Sequence, residues 1–583
     1  MKFRFLFVVF LLVLPLVAAE EGHMQLLAVR ETADGVGGSI ADVYLRIEPG
    51  SGQVFLDTFP LTRTDTQIST RFAKQIACDY LDEHCGRYDF FYTIRADSSI
   101  IAGPSAGAAL SLLTISLFEG IDLDESMSIT GTINSGGLIG YVGGIKAKVE
   151  AAADIGLSTV LIPQGERFVD DDENGSFFSE GNVSNGTIDV IAYGLSLGVS
   201  VIEVSDLDEA LAYFTGKEYV VENVSLEVDE GYAETMSHLT AALCNRTVQL
   251  GGILEEYDVS SENETFNRIL NLSLSSRNAF SQGRYYSAAS YCFSANVQSS
   301  YLIKVLKESG EDDVNATLET IERNVERLEQ ALEGREQKTL ADLEAYSIVV
   351  ERLIEAKEQR DRIEVEDANL RTLAFSLERV YSAFSWARFY DHRGKSISIN
   401  SKSLRSSCEQ NIAEAEERFQ YLQLFYPIID LAETRGELNR AYDDLNSGEY
   451  TLCLFKATKA KAESNIVLNS IGVETSQIKW LIEKKRQLAS RVIARQIEKG
   501  NFPILGYSYY EYSESLIDSD PFSALLFAEY ALEMSNLDMY FPEGPGLQLA
   551  VDMDSVAIFL WGLVLGAFIM RVVTLLDKNG KKK

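Results

Sequence analysis

The spacing of apolar residues changes near residue 220. Before it, short apolar runs of strand character alternate with runs of helical period. The strand-like runs are 43–47, 90–94, 158–162 and 199–204, and the helix-like runs include 70–81 and 146–155. This alternation predicts a mixed α+β domain in the first part of the chain.

The second part has a helical period throughout. It is rich in Ala, Leu, Glu and Arg, and no proline occurs between Pro163 and Pro427. A coiled-coil spacing connects Leu318, Ile321, Val325, Leu328 and Leu332. Short motifs at 283–285, 448–450 and 520–522 each precede an Ala-rich run, as in stacked helical hairpins. We therefore expect an all-α region of coiled-coil or helical-hairpin type.

Both ends of the chain carry apolar segments. Residues 6–17 form an apolar run after Lys2 and Arg4, which predicts a signal peptide over 1–19. Residues 555–576 are apolar except for Arg571, and lysines follow in 577–583. This pattern predicts a transmembrane helix followed by a cytoplasmic basic tail. We thus expect a single-pass membrane protein with an α+β domain over 20–217 and a helical domain over 218–554, both facing outward.

Charge and cysteine content narrow the function classes. The chain has 583 residues with 52 Lys+Arg and 87 Asp+Glu, a net charge of −35, which disfavours nucleic acid as a partner. Its six cysteines leave several disulfide connectivities open, with Cys78 to Cys85 the first choice and free thiols the alternative. No cysteine or histidine cluster predicts a metal site. Candidate N-glycosylation sites are Asn174, Asn182, Asn185, Asn223, Asn245, Asn263, Asn271 and Asn315.

A serine in a tight turn is the strongest chemical signal. Ser105 lies in the segment Gly-Pro-Ser-Ala-Gly of residues 103–107, directly before an apolar helix-like run. The serine is either a nucleophile or a helix N-cap, and residue type alone favours the cap. Gly103 and Ala106 shape the turn, whose backbone N–H groups are candidates to bind an oxyanion.

Two lysines open another helix-like run after a Gly-Gly turn. Lys146 and Lys148 follow Gly143 and Gly144. The positive end of a helix dipole, together with burial, lowers the pKa of a lysine amine and makes it a candidate base, whereas an exposed lysine has no such role. Because the two are two positions apart, at most one is expected to reach Ser105.

These segments resemble the proteolytic domain of the Lon peptidase family over roughly residues 25–217. The matching segments are 103–107, 129–133, 140–148, 151–153, 159–163 and 204–211. The resemblance implies a serine endopeptidase with a Ser-Lys dyad, in which Ser105 is the nucleophile and Lys148 the general base. It further implies that Thr130 positions the lysine amine and that Lys146 has a flanking role.

The chain also departs from the family pattern. Ala102 stands where bacterial members often have Asp, and the loop 170–187 is inserted. The nearest sequence to a Walker loop, at 394–396, has Phe389 in place of its first glycine, so we expect neither ATP nor another cofactor. In architecture the chain resembles archaeal membrane-anchored, secreted Lon-like proteases without the ATPase. The resemblance implies peptides or unfolded proteins as substrates and a homo-oligomer, with a helical region that spaces, assembles or restricts entry.

Two other functions remain open from the residues. The serine motif also fits the nucleophile elbow of α/β-hydrolases, and an esterase of that kind needs His238 or His392 as its base. The large helical region equally fits a non-catalytic surface scaffold that retained a protease fold.

Overall fold

The alternating apolar runs of the N-terminal part form strands in four sheets. The structure is a computed structural model that describes residues 21–32, 35–96, 103–170, 187–217, 226–391 and 399–541, with Gly566 and Arg571. The strands are β1 (Glu21–Thr32), β2 (Gly35–Pro49), β3 (Val54–Phe59), β4 (Tyr88–Ala96), β5 (Met127–Ile129), β6 (Thr132–Asn134), β7 (Leu138–Gly140), β8 (Thr159–Pro163), β9 (Phe168–Asp170), β10 (Thr187–Asp189) and β11 (Ser200–Val204). All four strand-like runs of the sequence fall largely within these elements.

The helices of this part are interspersed with the strands. They are α1 (Thr64–Leu81), α2 (Gly107–Glu119), α3 (Ile145–Asp154), α4 (Val190–Ser196) and α5 (Leu207–Thr215). The first sheet has the order β1-β2-β4-β3, with β3 parallel to β4 and the other pairs antiparallel. The second sheet is parallel, in the order β11-β8-β5, while β6 pairs with β7 and β9 with β10 as antiparallel hairpins.

Helices make up the rest of the described chain up to Phe541, apart from short connections. They are α6 (Glu230–Leu254), α7 (Asn263–Ser281), α8 (Tyr285–Leu306), α9 (Glu311–Leu332), α10 (Leu340–Asp361), α11 (Leu370–Trp386), α12 (Ser401–Phe425), α13 (Ala432–Ser447), α14 (Tyr450–Ser470), α15 (Ile478–Glu498), α16 (Ile504–Leu516) and α17 (Pro521–Ser535). The three short motifs stand at the starts of α8, α14 and α17. In the predicted seam, Ile321, Val325 and Leu328 on α9 are buried.

All six cysteines are paired in the structure. Cys78 is bonded to Cys85, Cys244 to Cys292, and Cys408 to Cys453. The last two bonds join α6 to α8 and α12 to α14. The sequons divide between described and undescribed residues: Asn245, Asn263, Asn271 and Asn315 are exposed, and Asn174, Asn182, Asn185 and Asn223 lie outside the described residues. Glycosylation stays a prediction.

The structure contradicts the predicted C-terminal membrane anchor. Within the described ranges, no helix combines the length and the apolar character that crossing a membrane requires. The prediction counted an apolar run, whereas a span requires a continuous helix of roughly 20 residues. Of 555–576, only Gly566 and Arg571 belong to the described residues. The predicted single-pass localisation depended on that helix and is wrong with it.

Several other predictions fall on undescribed residues. The signal peptide at 1–19, most of the loop 170–187 and the basic tail at 577–583 lie outside the described ranges. The chain divides into two compact units, Met1–Phe541 and Pro542–Lys583. Both the α+β part and the helices up to α17 belong to the first unit, and the predicted boundary at residue 217 stays a prediction.

The α+β part and the helical region share hydrophobic clusters. Tyr421 of α12 belongs to the core formed by the first sheet with α1, α2 and α5. Leu138 of β7 packs in a cluster with apolar residues of α15 and α17, among them Leu488 and Leu532. The helical region therefore completes the packing of the α+β part.

Helix α15 also contacts the α+β part through cations. Lys484 bonds Asp206 at 3.1 Å and Glu209 at 3.2 Å, and Arg491 pairs with Asp208. Burial acts to lower the pKa of Lys484, but the carboxylates of Asp206 and Glu209 outweigh it and raise that pKa. Opposite charges thus hold α15 against the start of α5.

A buried lysine makes the central contact of this interface. Lys485 Nζ donates to Ser135 O at 2.9 Å and to Ser135 Oγ at 2.5 Å, in the turn between β6 and β7. It also pairs with Glu529 at 2.6 Å, and both charged side chains are 0% exposed. The turn is thereby fixed from the helical region.

We predict that Lys485→Ala lowers the free energy of unfolding by about 3–5 kcal/mol, because it leaves Glu529 buried without its counter-ion. The matched control on the same helix is Lys479→Ala, whose pair with Asp518 is 63% and 92% exposed. That control should change stability by at most about 0.5 kcal/mol. Urea unfolding of the two variants checks the prediction, and equal losses would contradict it.

Candidate active site

Ser105 lies in a turn directly before α2. The turn is half-buried and leads into a helix whose first residues, from Gly107 on, are buried. Gly103 has φ +100°, a left-handed conformation that a residue with a Cβ adopts only with strain. Because Ser105 directly precedes the N-terminus of this helix, the positive end of the α2 dipole lies near it.

The start of α1 braces this turn. Asp65 Oδ2 accepts a hydrogen bond from Gly103 N at 2.9 Å, and Ser69 Oγ donates to Pro104 O at 3.3 Å. Asp65 is 3% exposed. Sequence reasoning missed Asp65, because this residue stands 38 positions before Gly103 and belongs to no motif.

Lys148 is buried beside Thr130. Its Nζ donates to Thr130 Oγ1 at 3.0 Å, and the two residues are 2% and 0% exposed. The residue is brought there by α3, which begins after Gly144 in a left-handed conformation. Thr130 therefore supplies the buried Lys148 amine with a hydrogen-bond acceptor.

Backbone hydrogen bonds connect the lysine site to the serine turn. Gly131, the residue after Thr130, donates from its N to Ser105 O at 2.9 Å, and its own carbonyl accepts from Ala108 N at 3.1 Å. Thr130 N in turn donates to Leu161 O of β8 at 3.0 Å. Two segments distant in sequence therefore hold Ser105 and the partner of Lys148 in one place.

The remaining candidate residues lie elsewhere. Lys146 is half-buried, with its Nζ 5.8 Å from the centre of the Tyr193 ring on α4. His238 is exposed on α6 of the helical region, and His392 lies outside the described residues. The structure thus groups Ser105, Thr130 and Lys148, while Lys146 faces a different neighbour.

A cavity opens next to the serine turn. Its empty volume, which includes space open to the solvent, is about 440 Å³, and Pro104 lines it on the α+β side. Residues of α12 and α14 line its other side, among them Tyr421 and Leu468. These helical residues lie close to the serine turn in the structure. Sequence reasoning missed them, because they stand more than 300 positions after it.

Comparison with known proteins identifies the type of domain. The family model of the Lon protease (S16) C-terminal proteolytic domain matches residues 89–171. The chain is 33% identical over 136 residues to the Lon protease of Methylocella silvestris, which is 23% of this chain and 17% of that protein. It is 39% identical over 64 residues to the archaeal Lon protease of Thermoplasma acidophilum, which is 11% of this chain and 10% of that protein.

The stretch that the family model matches includes the serine turn, Thr130 and Lys148. The chain therefore contains a Lon-type proteolytic domain. The chain is also 31% identical over 132 residues to the Lon protease of Methanosphaera stadtmanae. Its match spans about a sixth of the length of this relative and of the one from Methylocella silvestris. The helical region lies outside the stretch that the family model matches.

We predict that Thr130→Val lowers the free energy of unfolding by about 1–3 kcal/mol, because the buried Lys148 amine loses a hydrogen-bond acceptor. Valine has nearly the shape of threonine, so packing changes little. In a Lys148→Met background the same substitution should cost close to nothing. Chemical denaturation of the four chains completes a double-mutant cycle. An equal cost in both backgrounds would show that the amine does not depend on Thr130.

Proposed function

We propose that this chain is an ATP-independent serine endopeptidase that hydrolyses peptides or unfolded proteins with Ser105 and Lys148 as a catalytic dyad. The observation that carries the proposal is the buried Lys148 amine, 3.0 Å from Thr130 Oγ1, in a segment bonded to the serine turn through Gly131. The Lon-type proteolytic domain supports the same reaction class.

The proposed reaction begins with proton transfer from Ser105 Oγ to the neutral amine of Lys148. The oxygen attacks the carbonyl carbon of the scissile peptide bond, and backbone N–H groups of the turn at the start of α2 stabilise the resulting oxyanion. The intermediate then collapses, and the departing amine takes the proton from the Lys148 ammonium. Water hydrolyses the acyl-enzyme by the same route and releases the second product.

Each supporting residue has a defined task in this proposal. Thr130 orients the amine, and Asp65 holds the Gly103 N–H so that the turn keeps its shape. Lys146, whose Nζ lies 5.8 Å from the centre of the Tyr193 ring, takes no part in the proposed proton transfer. By resemblance to the family we also propose a homo-oligomer, which sedimentation of the purified chain tests. ATP independence rests on the absence of a Walker loop from the sequence.

We predict that Ser105→Ala and Lys148→Ala each lower kcat/KM for an unfolded fluorescent protein, measured without ATP, by about 10³-fold or more. The first change removes the proposed nucleophile, and the second removes its proposed base. Lys146→Ala is the matched control on the same helix and should retain activity, as should His238→Ala and His392→Ala.

Other outcomes favour other functions. Loss of activity in Ser105→Ala and in one histidine variant, with Lys148→Ala active, would favour an esterase-type triad. A folded wild type without any peptidase activity would favour a scaffold. Circular dichroism of each variant separates loss of chemistry from loss of fold.

A further inference from the structure

The cavity beside Ser105 has walls from both parts of the chain. On the α+β side it is lined by Phe72 of α1, Pro104 of the serine turn, Ile133 of β6 and the partly exposed Tyr141. Because Pro104 directly precedes the candidate nucleophile, the cavity adjoins the serine turn.

The opposite wall belongs to the helical region. It consists of Tyr421 and Tyr426, at the end of α12, and of Leu468 and Ile471, at the end of α14. Tyr421 is 6% exposed and its ring lies 6.3 Å from that of Phe72. The helical wall is therefore packed directly against the α+β wall.

Two contacts keep this wall in place. Gly472, with φ +74°, approaches Tyr141 so closely that a Cβ would lie 2.6 Å from its ring. Asn469 Nδ2 donates to Ser135 Oγ at 3.4 Å, and Lys485 bonds the same serine. The wall is thereby tied to the β6–β7 hairpin, whose strand β6 lines the cavity.

A second cavity extends the first. Its empty volume, which includes space open to the solvent, is about 550 Å³, and it shares Asn134, Tyr141 and Ile471 with the first cavity. The two together form a groove that passes between the β6–β7 hairpin and the segment after α14.

The chemistry of the first cavity restricts what enters it. Its lining residues are apolar, aromatic or neutral polar, and none of them carries a charge. A charged side chain loses its hydration there without a counter-ion, which costs free energy, whereas an aromatic ring gains contact with the Tyr421 and Phe72 rings. The cavity thus favours large apolar side chains.

We propose that the helical region is part of the substrate site: it forms one wall of the groove beside the Ser105 turn and selects peptide segments that place an aromatic or large aliphatic side chain in the cavity. The inference rests on the proposed function and deepens it. Ile471, which borders both cavities, is the specificity-determining residue on the helical side.

The test substitutes Ile471→Trp in the full chain to fill the cavity. Two quenched fluorescent peptides differ only in having Phe or Ala next to the cleaved bond. The ratio of kcat/KM for the Phe peptide to that for the Ala peptide should fall by about tenfold or more. The matched control is Ile428→Trp, at a residue that is 86% exposed and lines neither cavity, and it should leave the ratio unchanged. Ile471→Ala changes the same residue without filling the cavity, so it keeps the proposal testable if the tryptophan variant does not fold.

A second measurement separates this inference from the proposed function. The affinities of both labelled peptides are compared in Ser105→Ala chains with and without Ile471→Trp, by fluorescence anisotropy. If the wild type cleaves peptides and Ile471→Trp leaves both ratios unchanged, the inference is overturned and the function stands. If the wild type cleaves nothing, the binding ratio decides: a tenfold loss of preference for Phe supports the groove, and equal binding overturns it.

Discussion

The burial of Lys148 is the constraint on which the arrangement of the candidate site depends. An amine at 2% exposure needs a hydrogen-bond partner, and Thr130 supplies one at 3.0 Å. That partner is useful only if its own strand end is fixed, and bonds from Thr130 to Leu161 and from Gly131 to Ser105 fix it. The same few bonds that satisfy the lysine therefore also place the serine turn, so stability and site geometry have one origin.

A second buried lysine, in the helical region, makes a comparable contact with the turn between β6 and β7. Lys485 is buried, bonds the hydroxyl of Ser135 and has a carboxylate partner in Glu529. Burial lowers the pKa of Lys485 and Glu529 raises it, with burial the larger effect. The pairing with a carboxylate suits a structural contact, because it offsets the loss of hydration of the ammonium.

The sequence predicted those features that short segments determine. The strands at 43–47 and 90–94, the helical character after residue 230 and the pairing of Cys78 with Cys85 depend on local pattern or short separation. The motif at 103–107 and Lys148 pointed to the candidate site in the same way. Contacts such as Lys485 to Ser135, 350 positions apart, follow no pattern, since a lysine on a long helix is normally exposed. The predicted membrane helix failed for the opposite reason: apolar composition is local, whereas a span is a property of a whole continuous helix.

The packing between the two parts changes what the helical region has to be. If it were a spacer, its contacts with the α+β part would be few and exposed, and the serine turn would have the same surroundings without it. Instead Tyr421 lies in the core of the α+β part, and Leu138 of that part lies in a cluster of α15 and α17. Because each part completes a hydrophobic cluster of the other, separating them would expose apolar surface on both sides. The groove beside Ser105 is therefore formed by the whole unit, and selectivity at the serine depends on residues more than 300 positions away from it.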